Sequence, residues 1–247
     1  MTFLSLTRRV TALVRRPAGA ERAKPVAIEL LGMANFRWLL LGNALVMMSF
    51  QIRNMGQSWL VLELTDSQLW VGIVNGAPAI TIMLLGMFGG VIADRLDRRR
   101  ILIVVRLSLA VLAFGTAFVI ASGAVEVWHI LLLGVGAGVS LAFNLPTSQV
   151  LVQDVVGAKR LMGAAALNLT LSNLGTIIGP AVGGILIARS GVESVFYMLG
   201  AMYVVALLAT VFLRTEKSAP RPPQPVLRSL VEGLRYVVAT PHVAWLI

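Results

Sequence analysis

The densest group of chemically capable side chains in this chain is a run of charges at residues 94–100, which holds two aspartates and four arginines. A guanidinium group can pair with a carboxylate or cap the carbonyl end of a helix, and such contacts can form in one conformation and break in another. Long apolar segments flank the run on both sides. Since so many charges cannot lie in hydrocarbon, the run predicts a short loop between two membrane-spanning helices. The loop either only orients the two helices or also acts as a conformational switch.

A second polar group lies inside an apolar segment and consists of Gln51, Arg53, Asn54 and Gln57. Arg53 and Gln57 share one helical face by their i, i+4 spacing. An arginine near the bilayer centre costs about 2.5–3.5 kcal/mol on insertion scales, so we expect Arg53 to face a cavity or an acid. The nearest acid of its own segment, Glu63, lies roughly 15 Å away along a helix. This distance favours a cavity over a structural ion pair, and the positive charge favours an anionic or catecholate-like ligand over a cationic drug.

The elements that position these groups are six apolar segments, each long enough to cross a ~30 Å hydrocarbon core. Hydrophobic residues make up 57% of the 247 residues and charged residues only 13%, so lipid is the solvent for most of the chain. The connections are short, which makes consecutive helices antiparallel neighbours. The sequence therefore predicts an all-α membrane protein with a bundle of six transmembrane helices at residues 38–213. The predicted spans are 38–64, 70–93, 101–122, 128–153, 162–188 and 194–213.

The basic residues outside the spans predict the orientation of the bundle. Eighteen lysines and arginines flank one side of the predicted spans and only Arg189 flanks the other. The positive-inside rule then places the basic tail (1–37) and the segment 214–247 in the cytoplasm of a cell that carries the protein in its inner or plasma membrane. Residues 3–16 are either an amphipathic surface helix or a loose tail. The segment 214–247 combines a proline-rich linker, a surface helix and the start of a seventh apolar run.

The composition argues against several other functions. The net charge of +10 is distributed around apolar helices rather than along a basic face, so nucleic acid is not expected as a partner. Cysteine is absent and the two histidines are 113 residues apart, so neither a metal site nor a cofactor is expected. No serine–histidine or paired-acid group lies in the apolar segments, which argues against an intramembrane enzyme.

Two motifs resemble signatures of the major facilitator superfamily. The run from Gly90 to Arg100 has the form G-x-x-x-D-R-x-x-R-R-R and resembles the loop between the second and third helices of that family. The family associates this loop with a conformational switch. Many members of the family have glycine three residues after the first aspartate, where this chain has Asp97. In this acidic position the loop resembles the branch that contains enterobactin exporters and related efflux proteins. The switch candidates are Gly90, Asp94, Arg95, Asp97, Arg98 and Arg99.

The second motif, G-x-x-x-G-P-x-x-G-G in the fifth span, resembles the fifth-helix signature of drug and solute antiporters. Its glycines recur every four residues and form a smooth stripe that another helix can approach closely. Its proline removes a backbone donor and bends the helix. The motif residues are Gly175, Gly179, Pro180, Gly183 and Gly184.

The resemblance also implies which surfaces carry function. The first and fourth helices of the family line a central cavity, which adds Asn144 and Ser148 to the candidates, although both can equally form hydrogen bonds between helices. The second and fifth helices face the other six-helix half, so the glycine stripe of the fifth span and the pairs Gly72/Gly76 and Gly86/Gly90 would lack a partner in this chain. Arg106 lies near the end of the third span, where we expect it to reach the headgroup region as a structural residue. The substrate-cavity candidates are Gln51, Arg53, Asn54, Gln57, Asn144 and Ser148.

The resemblance implies the N-terminal half of an exporter of a small molecule, such as a siderophore or a drug, that works by alternating access. Its partners would be the lipid bilayer and a missing C-terminal six-helix half, or a second copy of the chain. The competing hypothesis is a six-helix scaffold or homodimer that does not transport. Proton coupling is expected from the branch, but the spans hold no obvious proton carrier.

Overall fold

The computed structural model describes residues 26–213, except for the side chains of residues 87, 88 and 90–95. This part of the chain forms seven α-helices, and a 3-10 turn at Ala158–Arg160 precedes the sixth. The six predicted spans correspond to α2–α7, which confirms the all-α membrane class. The helices are α1 (Val26–Gly32), α2 (Ala34–Thr65), α3 (Gln68–Arg95), α4 (Arg98–Ala121), α5 (Val127–Val156), α6 (Leu161–Ser190) and α7 (Val192–Val211).

The length and composition of the helices fit a multi-pass membrane protein. Each of α3–α7 is long and apolar enough to cross a bilayer alone. Helix α2 passes the same test only together with α1, from which it is bent by 98°. Because α2 carries the polar group at residues 51–57, its hydropathy is lower than that of the other spans.

Local sequence explains where the helices end. Asp66 takes a left-handed conformation (φ 48°) and its backbone N–H bonds to the carbonyl of Leu62, which ends α2. Asp97 starts α4, because its side chain accepts hydrogen bonds from the first backbone N–H groups of that helix. Gly157 and Gly191, with φ of 74° and 79°, make the turns before and after α6, a conformation that glycine adopts without a steric penalty.

The helices pack mainly in two closely contacting pairs, α3 with α5 and α4 with α7, and α2 lies against α6 and α7. In the first pair, glycines allow the backbones of α3 and α5 to approach closely. A Cβ atom on Gly138 would lie 2.8 Å from the carbonyl oxygen of Pro78, and one on Gly89 would lie 2.5 Å from that of Ala142. In the second pair, Gly200 makes room for the ring of Phe114. Small residues therefore set the spacing of helices, as is typical in membranes.

Helix α1 is an element that the sequence did not predict, because residues 26–37 were assigned to the basic tail. Leu30 is buried, Val26 packs against Gly163 of α6, and Glu29 forms an ion pair with Arg160. These contacts fix α1 across the end of α6. The rest of the predicted tail (residues 1–25), including the surface helix at 3–16, lies outside the described residues, as does the predicted segment 214–247.

Candidate functional site

The charged loop between α3 and α4 joins the ends of three helices. Asp97 caps α4 by accepting from the backbone N–H groups of Arg99 (3.0 Å) and Arg100 (3.3 Å). Arg98 forms an ion pair with Asp154 near the end of α5. Since the Arg98 side chain is 9% exposed and that of Asp154 34%, the pair is partly shielded from solvent.

Arg99 extends this contact to α7. Its Nε donates to the carbonyl of Thr210 (3.2 Å) and its Nη2 to that of Val211 (2.6 Å). These carbonyls lie at the C-terminus of α7, where the helix dipole attracts a cation. Charge-assisted hydrogen bonds from the loop therefore join α4 to α5 and to α7. Of the other predicted switch residues, Asp94 and Arg95 lie in the helical backbone of α3, but their side chains and the surroundings of Gly90 are outside the described part.

A second polar centre surrounds Arg106, whose side chain is 0% exposed. Its guanidinium donates to Asn43 Oδ1 of α2 (2.8 Å) and to the carbonyl of Ala206 in α7 (2.9 Å), and it also bonds to the hydroxyl of Thr210. The prediction that Arg106 reaches the headgroup region is therefore wrong. Neighbouring helices supply acceptors inside the bundle, so the side chain has no need to extend outward.

A small cavity of about 20 Å³ lies between α2, α4, α5 and α7. Arg53, Gln57, Thr116 and Tyr203 provide its polar lining, and Arg53 is only 7% exposed. The guanidinium of Arg53 lies 5.4 Å from the centre of the Phe50 ring. Arg53 and Gln57 line the same cavity, in keeping with their i, i+4 spacing.

The other predicted cavity residues lie elsewhere. Gln51 is partly exposed and donates to the hydroxyl of Thr176 in α6 (3.1 Å), because two positions along a helix place it opposite Arg53. Asn54 is also partly exposed, whereas Asn144 and Ser148 are buried in α5. The structure therefore does not gather the predicted set into one site.

The glycine stripe of α6 faces α2. A Cβ on Gly175 would lie 3.2 Å from Cα of Met48, and one on Gly183 would lie 2.9 Å from the sulfur of Met55. The expectation that this stripe lacks a partner in the chain is therefore wrong, because α2 fills it. Gly179 meets Ile52 and Gln51, Gly184 meets Met55, and Pro180 lies inside the helix.

The glycines of α3 differ from this stripe. A Cβ on Gly72, Gly76 or Gly86 would meet no heavy atom within 4 Å among the described residues. Large apolar side chains of α3 and α6, such as Met83 and Ile177, are 71% and 73% exposed. These two helices present the most open faces of the bundle.

Arg106 and Tyr203 are buried polar residues that the sequence interpretation missed as site members, and Asn43 and Thr116 are two more. The partner of Arg106 in α2 is 63 positions away, and Tyr203 approaches Arg53 from a different span. The one available signal was a polar group within an apolar run, which does not identify its partner.

Six long apolar helices, three of which are joined at one end by the charged loop, define a multi-pass helical membrane protein. The family model described as a transmembrane secretion effector matches residues 27–247, and this chain belongs to that family of the major facilitator superfamily.

Curated relatives point to the same branch. The chain is 28% identical over 207 residues to an enterobactin exporter of Shigella boydii serotype 4, with 82% of this chain and 47% of the relative covered. It is also 28% identical over 175 residues to the enterobactin exporter of Escherichia coli O1:K1, with 71% of this chain and 41% of the relative covered. The chain thus spans about half the length of the curated relatives it matches.

Proposed function

We propose that this chain forms the N-terminal six-helix half of an exporter that moves a small molecule across the membrane by alternating access. In that mechanism two six-helix halves rock about a site between them. Family membership and relatives named as enterobactin exporters support the proposal. The observation that carries it is the charged loop, which fastens three helix ends of the bundle to one another.

The loop has the chemistry of a reversible contact. Arg98–Asp154 and the Arg99 bonds to α7 join different helices through charge-assisted hydrogen bonds at the bundle end. A shift of α4 against α5 and α7 within this half, as the two halves rock, would break these bonds, and water would then solvate the charges that are released. Asp94 and Arg95 are proposed as further members on the basis of the motif.

The open faces of α3 and α6 are proposed to meet a second six-helix unit. Gly72, Gly76 and Gly86 leave α3 without side chains where a partner backbone can approach. The proposed partner is the C-terminal half of the same transporter, and a second copy of this chain is the alternative.

The proposed substrate is a small anionic molecule of the siderophore class, as the names of the relatives suggest. The first contacts are assigned to Gln51 and Asn54, which are partly exposed on α2. Asn144 and Ser148 would join when the bundle opens. Arg53 and Gln57 line a cavity with room for about one water molecule, so in this conformation a siderophore does not reach them. Coupling to a proton gradient is proposed from the branch and predicts that a protonophore stops export.

The test is siderophore efflux from bacteria that lack their own exporter and express the complete transporter that contains this chain. We expect efflux with the wild type and at least about a tenfold loss with Arg99→Gln, because about 1.4 kcal/mol of lost contact energy changes an equilibrium tenfold. Arg189→Gln is the matched control, since Arg189 is exposed at the opposite end of the bundle and its loss should leave efflux near the wild-type rate. Absence of wild-type efflux for siderophores and drugs alike would refute the proposal. Full efflux from this chain as a homodimer would identify a second copy as the partner.

A further inference from the structure

The cavity around Arg53 contains hydrogen-bond donors without acceptors. Among the described residues, Nε and Nη1 of Arg53 and the hydroxyl of Tyr203 have no hydrogen-bond partner, although all three atoms are buried. Arg53 is 7% exposed and Tyr203 2%. A buried donor without an acceptor loses its hydration and gains nothing in return, and the loss is greatest for a charged group.

The positive charge of Arg53 also lacks a counter-charge. The residues that line the cavity include no acid. Every acidic side chain that the structure describes lies within three residues of a helix end, whereas Arg53 lies twelve residues from Thr65, the end of α2. The ring of Phe50 offers a partial cation–π contact. This contact leaves the net charge in place.

The remaining polar groups of the cavity do not neutralise this charge. The amide nitrogen of Gln57 donates to the carbonyl of Val74 (3.0 Å), and the hydroxyl of Thr116 donates to the carbonyl of Leu112 (2.8 Å). Gln57 retains a second N–H that can point into the cavity, because an amide carries two donors.

We propose that this cavity binds one small inorganic anion of the halide type, held by the guanidinium of Arg53 and the hydroxyl of Tyr203. The cavity is small, at about 20 Å³, which favours a monatomic anion over an organic acid. A water molecule would satisfy the donors but leave the charge uncompensated, whereas a monoanion does both. The site would link α2 to α7 within this six-helix bundle. It does not depend on the transported substrate.

The test is thermal unfolding of the purified chain in detergent, with sodium chloride or sodium bromide exchanged for sodium gluconate at constant ionic strength. We expect both halides to raise the Tm of the wild type in a saturable manner, by about 3 °C for a site filled well above its Kd. Arg53→Met should abolish the difference between chloride and gluconate. Arg189→Met, which removes an exposed arginine from the end of α6, is the charge-matched control and should retain it.

Tyr203→Phe keeps the shape of the ring and removes only the hydroxyl donor. This variant should require a several-fold higher chloride concentration for the same Tm gain. It therefore tests the anion site even if Arg53→Met fails to fold. Equal Tm values in chloride and gluconate for the wild type would overturn the proposal. An equal chloride gain in Arg53→Met, or an unchanged chloride midpoint in Tyr203→Phe, would also overturn it.

Discussion

Arg106 and Arg53 are buried in the same bundle, yet their guanidinium groups meet different surroundings. Both terminal nitrogens of Arg106 have acceptors from α2 and α7 and only its Nε has none, whereas Nε and Nη1 of Arg53 both lack an acceptor within the described part of the chain. A guanidinium that is bonded to two other helices links them, because removing one acceptor leaves a buried charge that is poorly paired. Arg106 is therefore expected to contribute to stability, and Arg53 to binding.

The surroundings of Arg106 lead to a prediction for Gly42→Ala. The new Cβ would lie 2.1 Å from Nη1 of Arg106 and 2.9 Å from Cζ, so the guanidinium must move away from its acceptors. We expect the free energy of unfolding to fall by about 2–3 kcal/mol, through overpacking and buried donors left unbonded. Thermal or denaturant unfolding in detergent measures this loss.

Gly115→Ala is the control for this substitution. Gly115 lies within α4, and a Cβ there would meet no described heavy atom within 4 Å. Alanine is the better helix former, so this variant should be as stable as the wild type or slightly more stable. If Gly42→Ala were as stable as Gly115→Ala, that result would contradict the close packing of Arg106 against Gly42 of α2.

At the scale of elements, the sequence predicted six long helices close to the bounds of α2–α7, because apolar length is determined by the thickness of the bilayer. It did not predict α1, whose seven residues are too short for a span and lie next to basic residues. It also assigned the wrong neighbour to the glycines of α6. Small residues indicate that a backbone approaches closely but do not say which one, so Gly175 and Gly183 were equally compatible with a missing half and with α2.

The contact between α3 and α5 provides a prediction at this scale. A Cβ on Gly138 would lie 2.8 Å from the carbonyl oxygen and 2.9 Å from Cα of Pro78, and these backbone atoms cannot turn aside as a side chain can. Gly138→Ala should force the helices apart and lower the free energy of unfolding by about 1–3 kcal/mol. Gly76→Ala in α3 meets open space and should not destabilise the chain. Similar melting of the two variants would contradict the close approach of these helices.

At the scale of the whole molecule, the ion pairs between helices in the described part of the chain lie at one end of the bundle. The Arg98–Asp154 pair, the Arg99 bonds to α7 and the Glu29–Arg160 pair all lie at the end that holds the charged loop. The same end carries most of the lysine and arginine residues between the spans. If this end is cytoplasmic, the contacts would stabilise a bundle closed toward the cytoplasm, and the opposite end would be freer to open.

Labelling of single cysteines tests this orientation, since the chain has no cysteine of its own. Ser122 and Ala158 are exposed residues at opposite ends of α5, whose residues 127–156 span about 45 Å and therefore exceed the hydrocarbon core. The excess of basic residues beside Ala158 predicts that this end is retained in the cytoplasm. In intact cells a membrane-impermeant maleimide should label Ser122→Cys at once and Ala158→Cys only after permeabilisation. Complete labelling of both variants in detergent is the control for reactivity, and the reverse order in cells would place the charged loop, and with it the proposed switch, on the outer side of the membrane.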